Sequence, residues 1–476
     1  MGSSTLRFTC ALLVSSLTAC GGTSVMPPPT PHFIEGGGLA DGPIGGTFFV
    51  YVADDDSRAP VSGAAVRVGG SSDPDACTAT TDSTGLASFE KKTCALLVGK
   101  QSITASASGY APTTWIGVNA ANVTMTIRAT TAPPVDTATV SGTITGWETL
   151  PAPAAQHNTI GLVGTSTSPT ASDAANNLAQ GTRKVHAMVG LIGTDLDIPA
   201  NACIRNTTVN LNDCAWQLTT RTGAQAHYAV ILDQDTKGTP NDDTDDTFTV
   251  TGWAVKTGLS FDKGATATGE ALGLLTDDQM QPFTASFPPA LTGFAFLQAF
   301  PAIDLGDAGR IAIVSPVLDA THTMTRVPKL AGPFAGAHYD FLAQALIAKG
   351  QAQPSTLSWM HAVDASQTVA APAWTPPPTA ITASNGTYSF GAVAGASLQG
   401  GELQTMDGKR AWSITIFDGT TSFTLPGVSP DPLPAGPSLF VASALLIDGF
   451  DPMNAKFDDL RTKLTHLASD QVMFTH

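Results

Sequence analysis

The sequence predicts a mainly β protein, an N-terminal β-sandwich followed by a larger β-rich domain with a few covering helices. Three observations carry that expectation. Apolar residues recur with period two in one segment after another. Turns are abundant, with 46 Gly and 33 Pro in 476 residues. Only 13% of residues are charged, so solubility rests on Ser, Thr, Asn and backbone polarity rather than on ion pairs. At about 150 residues per domain the chain exceeds one ordinary core, and its 42% apolar content is ample for several.

The elements follow in chain order. Residues 1–19 hold one cation, Arg7, then the apolar run FTCALLVSSL. About 20 apolar residues are needed to span a bilayer as a helix, so this run reads as a signal-peptide core. Residues 20–46 begin at Cys20 and form a Pro/Gly-rich stretch without apolar period, which predicts a tether. From 47 to 131 short strands alternate: Phe48, Val50 and Val52; Val66 and Val68; Ala87 and Phe89; Ile103, Ala105 and Ala107; Val123, Met125 and Ile127.

Residues 137–476 continue as β, with a possible division at the proline cluster near 376–380. HYAVILD, DTFTVTGWAV, GRIAIVS, AWSITIFDG and TSFTLPG read as strands, and LFVASALLI as a strand buried on both faces. Two helices are expected: FAGAHYDFLAQALIAKG, stopped at Gly350, and a C-terminal one from Asp451 and Pro452, with Met453, Phe457, Leu460, Leu464 and Leu467 on one stripe.

Leu17-Thr18-Ala19-Cys20 resembles the bacterial lipobox, in which the chain is cut before a cysteine whose thiol is then diacylated. The resemblance implies a membrane anchor at Cys20, and Gly21 in place of an aspartate implies an outer-membrane destination in the cell envelope. PVSGAAVRV, TDSTGLASFE, SITASASGYAP and NVTMTI resemble the carboxypeptidase regulatory-like domains, which are small prealbumin-type sandwiches; immunoglobulin-like modules give a similar pattern. That family's name does not bring a peptidase with it. The one H-x-x-E, His32 to Glu35, lies in the expected tether, where no cavity holds a metal.

Removal of Cys10 and lipidation of Cys20 leave Cys77, Cys94, Cys203 and Cys214. In an oxidising compartment these allow three connectivities, of which the local pairs 77–94 and 203–214 close short loops.

For chemistry the sequence offers little. Asp233, Asp235, Asp242, Asp243, Asp245 and Asp246 crowd one segment whose opening resembles a calcium loop, but Lys237 and Thr244 replace ligands. The segment is either a calcium site or an acidic hairpin loop. No nucleophile elbow, zincin motif or phosphate loop is present. His338 with Asp340, and His361 with Asp364, are the His/carboxylate neighbours of the C-terminal half, and within a helix the first pair points to different sides.

Trp115 and Trp374 sit in loose surroundings and are the expected exposed indoles, a possible sugar platform. A net charge of −16 with no Lys/Arg cluster excludes nucleic acid. The expectation is a non-catalytic envelope protein with a binding, adhesive or structural role toward a glycan or envelope protein. The alternatives are a carbohydrate binder assisted by calcium and a hydrolase without a recognisable motif.

Overall fold

The computed structural model describes residues 29–131, 136–167, 181–189, 192–206, 214–239, 245–312, 322–348, 353–460 and 462–476. Its dominant element is a 12-stranded sheet. In spatial order the strands are Arg310–Ala312, Phe296–Asp304, His338–Leu346, Ser355–Val363, Leu464–Thr475, Pro437–Ile447, Leu398–Thr405, Arg410–Ile416, Thr113–Val118, Gln101–Ser106, Ala65–Val68 and Cys77–Thr80.

The first part of the chain is a two-sheet sandwich. One sheet is the last four strands of that series; the other carries Thr47–Asp54, Leu86–Glu90 and Asn122–Ala129. The period-two residues meet between them: Phe48, Val50, Val52, Val66, Val68, Ile103, Ala105, Val123, Met125 and Ile127 are all fully buried. Alternation forces this result, since successive side chains leave opposite faces of a strand.

The expected tether is corrected in its second half. Gly38–Ala40 is a strand pairing antiparallel to Asn122–Ala129 on one side and to Ala455–Lys456 on the other. Ile34, Leu39 and Ile44 are buried. Residues 20–28, with Cys20, lie outside the described part, as does the signal segment.

Two further sheets, centred on Thr137–Thr145 and on Gly223–Asp235, enclose a second core around Trp147, Trp216 and the Cys203–Cys214 cystine. A third core joins Trp253, Phe283, Phe334 and Phe341 against one end of the long sheet. A fourth, around Phe440 and Trp412, covers its middle. There Gly400 and Gly401 admit close strand approach: a Cβ on Gly401 would sit 1.9 Å from the Val441 carbonyl oxygen.

Both expected helices are strands. His338–Leu346 pairs with Phe296–Asp304 and Ser355–Val363 and buries Tyr339, Phe341, Ala343 and Ala345, every second residue. Leu464–Thr475 pairs along the whole of Pro437–Ile447, leaving only Phe457–Leu460 as α-helix. Asp451 caps a turn instead, its Oδ1 accepting from the Met453 amide at 2.9 Å.

Both local cystines are present, with sequence separations of 17 and 11. Closing loops of this size stabilises the fold by about 3 kcal/mol each through the unfolded chain's lost entropy. Replacing Cys203 and Cys214 together by Ala should lower the urea unfolding free energy by about that amount. An unchanged midpoint would show that this cystine does not constrain the chain.

Two joints tie the N-terminal sandwich to the rest. Thr113–Val118 pairs parallel with Arg410–Ile416, and Gly38–Ala40 pairs with Ala455–Lys456. The strands that flank 376–380 lie in different sheets, Val369–Ala370 beside Met280–Ser286 and Thr382–Ser384 beside Thr387–Ser389, while Ser355–Val363 and Leu398–Thr405 farther out are both in the long sheet.

Candidate functional site

The acidic segment does not gather its carboxylates among the described residues. Asp233 faces the His157 imidazole, 3.0 Å from Nδ1. Asp235 pairs with Lys237, which holds its carboxyl below the ordinary carboxylate range through side-chain and backbone hydrogen bonds. Asp245 accepts from Thr239 Oγ1 at 2.9 Å, and Asp246 accepts from the Gln234 amide. Asp242 and Asp243 lie outside the described residues. Each described carboxylate thus has a partner, and Asp233 and Asp235 share His157, whose Nε2 lies 4.0 Å from Asp235 Oδ1.

The described residues bring Asp304, His338 and Asp340 together instead, with ligand-type atoms all within 4.8 Å of one another. The strand conformation explains it: His338 and Asp340, two apart, leave the same face, and Asp304 is the cross-strand neighbour of His338. This corrects the helical expectation that separated them.

The arrangement is an ion-pair knot. Arg310 Nη2 lies 2.9 Å from Asp304 Oδ2 and 2.8 Å from Asp340 Oδ2. Asp340 also meets His361 Nδ1 at 3.3 Å and accepts from the Ala362 amide at 3.2 Å. The other His361 nitrogen, Nε2, is 3.2 Å from the Leu464 carbonyl oxygen. The Arg310 guanidinium lies over the Trp359 ring, 4.8 Å from its centroid.

Burial pushes the Asp340 carboxyl up, but the His361 contact, the Arg310 charge and the Ala362 amide outweigh it and hold it below its ordinary value. With a guanidinium between the carboxylates and both His361 nitrogens engaged, this chemistry is that of a structural clamp. The second His/carboxylate neighbour pair is not joined, because Asp364 caps Ser366.

A concavity lies at the seam between the N-terminal sandwich and the rest of the chain. It is a groove of about 450 Å³, walled by Ser106, Ser108 and Tyr110 on one side and by Lys409, Arg410 and Pro430 on the other. No His, Asp, Glu or Cys lines it. Arg410 also lines an adjoining cavity of about 190 Å³ together with Arg128, Asp55, Trp115 and Phe457. The parallel joint of Thr113–Val118 with Arg410–Ile416 therefore makes both the seam and its concavities.

Sequence reading missed these residues. Arg410 and Arg128 line one cavity although 282 positions separate them, and Lys409 lines the groove beside it. The adjacent pair Lys409-Arg410 in so acidic a chain was the only available signal.

The expected exposed indoles are corrected as well. Trp115 and Trp374 are buried, as are Trp147, Trp216, Trp253 and Trp412. The seventh, Trp359, is half-buried under Arg310 and stacked on His361 at 5.5 Å. An indole buries much apolar area, and the cores claim it.

No protein-family model matches the sequence, and no curated protein does. Among solved structures the chain is similar to the Bacillus anthracis TIE protein at 9% identity and a TM-score of 0.14, over 68% of this chain and 49% of that one. A tetra-tandem repeat from the extending region of a large adhesion protein aligns at 13% identity and a TM-score of 0.15, over 90% and 99%. The full-length major pilin SpaD from Corynebacterium diphtheriae aligns at 10% identity and a TM-score of 0.14, over 64% and 87%.

Proposed function

We propose that this chain is a non-catalytic binding or adhesive protein of the cell envelope, exported and held at the outer membrane by lipid on Cys20, with the seam groove as its ligand site. The observation that carries the binding reading is the lining of the groove. It offers hydroxyls, apolar faces and two cations but no imidazole, carboxylate or thiol for proton transfer or nucleophilic attack. Two cystines support export, because such bridges persist in oxidising compartments. Among the described residues no helix is long and apolar enough to cross a membrane.

Feeding a labelled fatty acid to producing cells tests the anchor. The mature protein should carry label and fractionate with membranes, and Cys20→Ala should lose both properties. An unlabelled protein that keeps its leader in the cytosol would overturn the reading.

A further inference from the structure

We infer that the seam holds an acidic saccharide, its carboxylate seated between Arg128 and Arg410 and its sugar ring or rings lying along the groove. The inference rests on the proposed binding role of that groove.

The argument starts from Arg128. It is half-buried and lines the inner cavity, and among the described residues its side chain makes no ion pair and no hydrogen bond. A guanidinium presents five donors in a rigid fork, and leaving them idle in a partly enclosed space is costly unless water or a ligand accepts them.

Arg410 reaches the same cavity. One arm of its guanidinium is held by Glu402, while its buried Nε–H has no partner. The carboxylate nearest in kind, Asp55, also lines the cavity but is turned to Arg58, 3.6 Å away. Two guanidinium groups lining one small cavity, that of Arg128 without a partner among the described residues, match a planar carboxylate, which accepts paired N–H bonds.

The remaining surfaces select a sugar. Thr113, Thr126, Ser413 and Thr415 line the inner cavity, and Trp115 and Phe457 close its back. Outward, the groove continues with Ser106, Ser108, Thr405 and Ser429 beside the faces of Tyr110, Pro430 and Pro432. Hydroxyls alternating with flat apolar faces complement a pyranose, which carries equatorial hydroxyls around apolar C–H faces. A volume of about 190 Å³ suits one such ring, and the groove of about 450 Å³ suits its neighbours.

The test uses the disulfide-intact full chain in detergent, titrated calorimetrically with tetragalacturonate and with its methyl ester, which keeps the skeleton and removes the charge. The acid should bind, and the ester about tenfold or more weakly. Arg128→Gln should weaken the acid by about the same factor and the ester by less, and because Arg128 holds no partner among the described residues the variant should melt as the parent does.

If ester and acid bind alike, and Ser108→Trp abolishes both, the groove remains a ligand site and the acidic class is overturned. If neither saccharide binds, or Arg128→Gln changes nothing, the inference falls, while the lipid anchor stands or falls on its own labelling experiment.

Discussion

Asp340→Asn should lower the unfolding free energy by about 2–3 kcal/mol, the cost of losing charge-assisted hydrogen bonds in a buried network whose Arg310 keeps Asp304. Asp340 is 1% exposed, and its carboxylate serves Arg310, His361 and the Ala362 amide together. The amide side chain leaves Arg310, whose side chain is only 13% exposed, with Asp304 as its one carboxylate among the described residues, and removes the charge that His361 and the Ala362 amide also face. A control within the same protein separates burial from pairing as such. The Arg326–Asp277 pair has a similar 3.0 Å distance but side chains 39% and 87% exposed, and Asp277→Asn should cost less than about 1 kcal/mol. Urea unfolding of both variants checks the pair of figures. Equal, small losses would show that the knot at Asp340 contributes nothing beyond a surface contact.

The same residue sets a pH signature. Its folded-state carboxyl lies below the ordinary 3.8, so its contribution is fully present above the unfolded-state value and is lost as pH falls through the folded one. The stability gap between parent and Asp340→Asn should therefore stay constant above about pH 5 and narrow below about pH 4. A gap that widened on acidification would contradict the clamp.

Much of the fold was legible because alternation is local information. The strand from Thr47 to Asp54 buries Phe48, Val50 and Val52 as written, and cysteine spacing pointed to the two cystines found. The helical expectations failed where composition and partner disagreed. FLAQAL is made largely of good helix formers, yet Tyr339, Phe341, Ala343 and Ala345 also alternate, and two neighbouring strands supply the hydrogen bonds that decide between the readings.

The C-terminal stripe failed in the same way, because Pro437–Ile447 offers an 11-residue edge to Leu464–Thr475. The seam was illegible for a different reason. Arg128 and Arg410 meet only because a parallel joint brings residues 113–116 beside 413–416, and no periodicity encodes a pairing across 300 positions.

That joint also sets the expected effect of Trp115→Ala, a loss of about 3–5 kcal/mol together with loosening of the C-terminal segment. The Trp115 ring lies 5.5 Å from Phe417 and 5.1 Å from Phe457, so one indole bridges the sandwich core, the strand that forms the seam and the short helix Phe457–Leu460. That helix in turn is docked by the Phe457 amide donating to the Gly37 carbonyl at 2.9 Å and by the pairing of Ala455–Lys456 with Gly38–Ala40. Removing the indole takes away the packing that holds these contacts in place, since apolar cores relax only partly around a void. Hydrogen exchange should then accelerate at 36–40 and 455–460 more than in the distant Phe283–Phe341 core, and Trp115→Phe should restore most of both stability and protection. A Trp115→Ala protein with a loss under about 1 kcal/mol, or with exchange faster only at 113–118, would mean that the two joints hold independently of the ring between them.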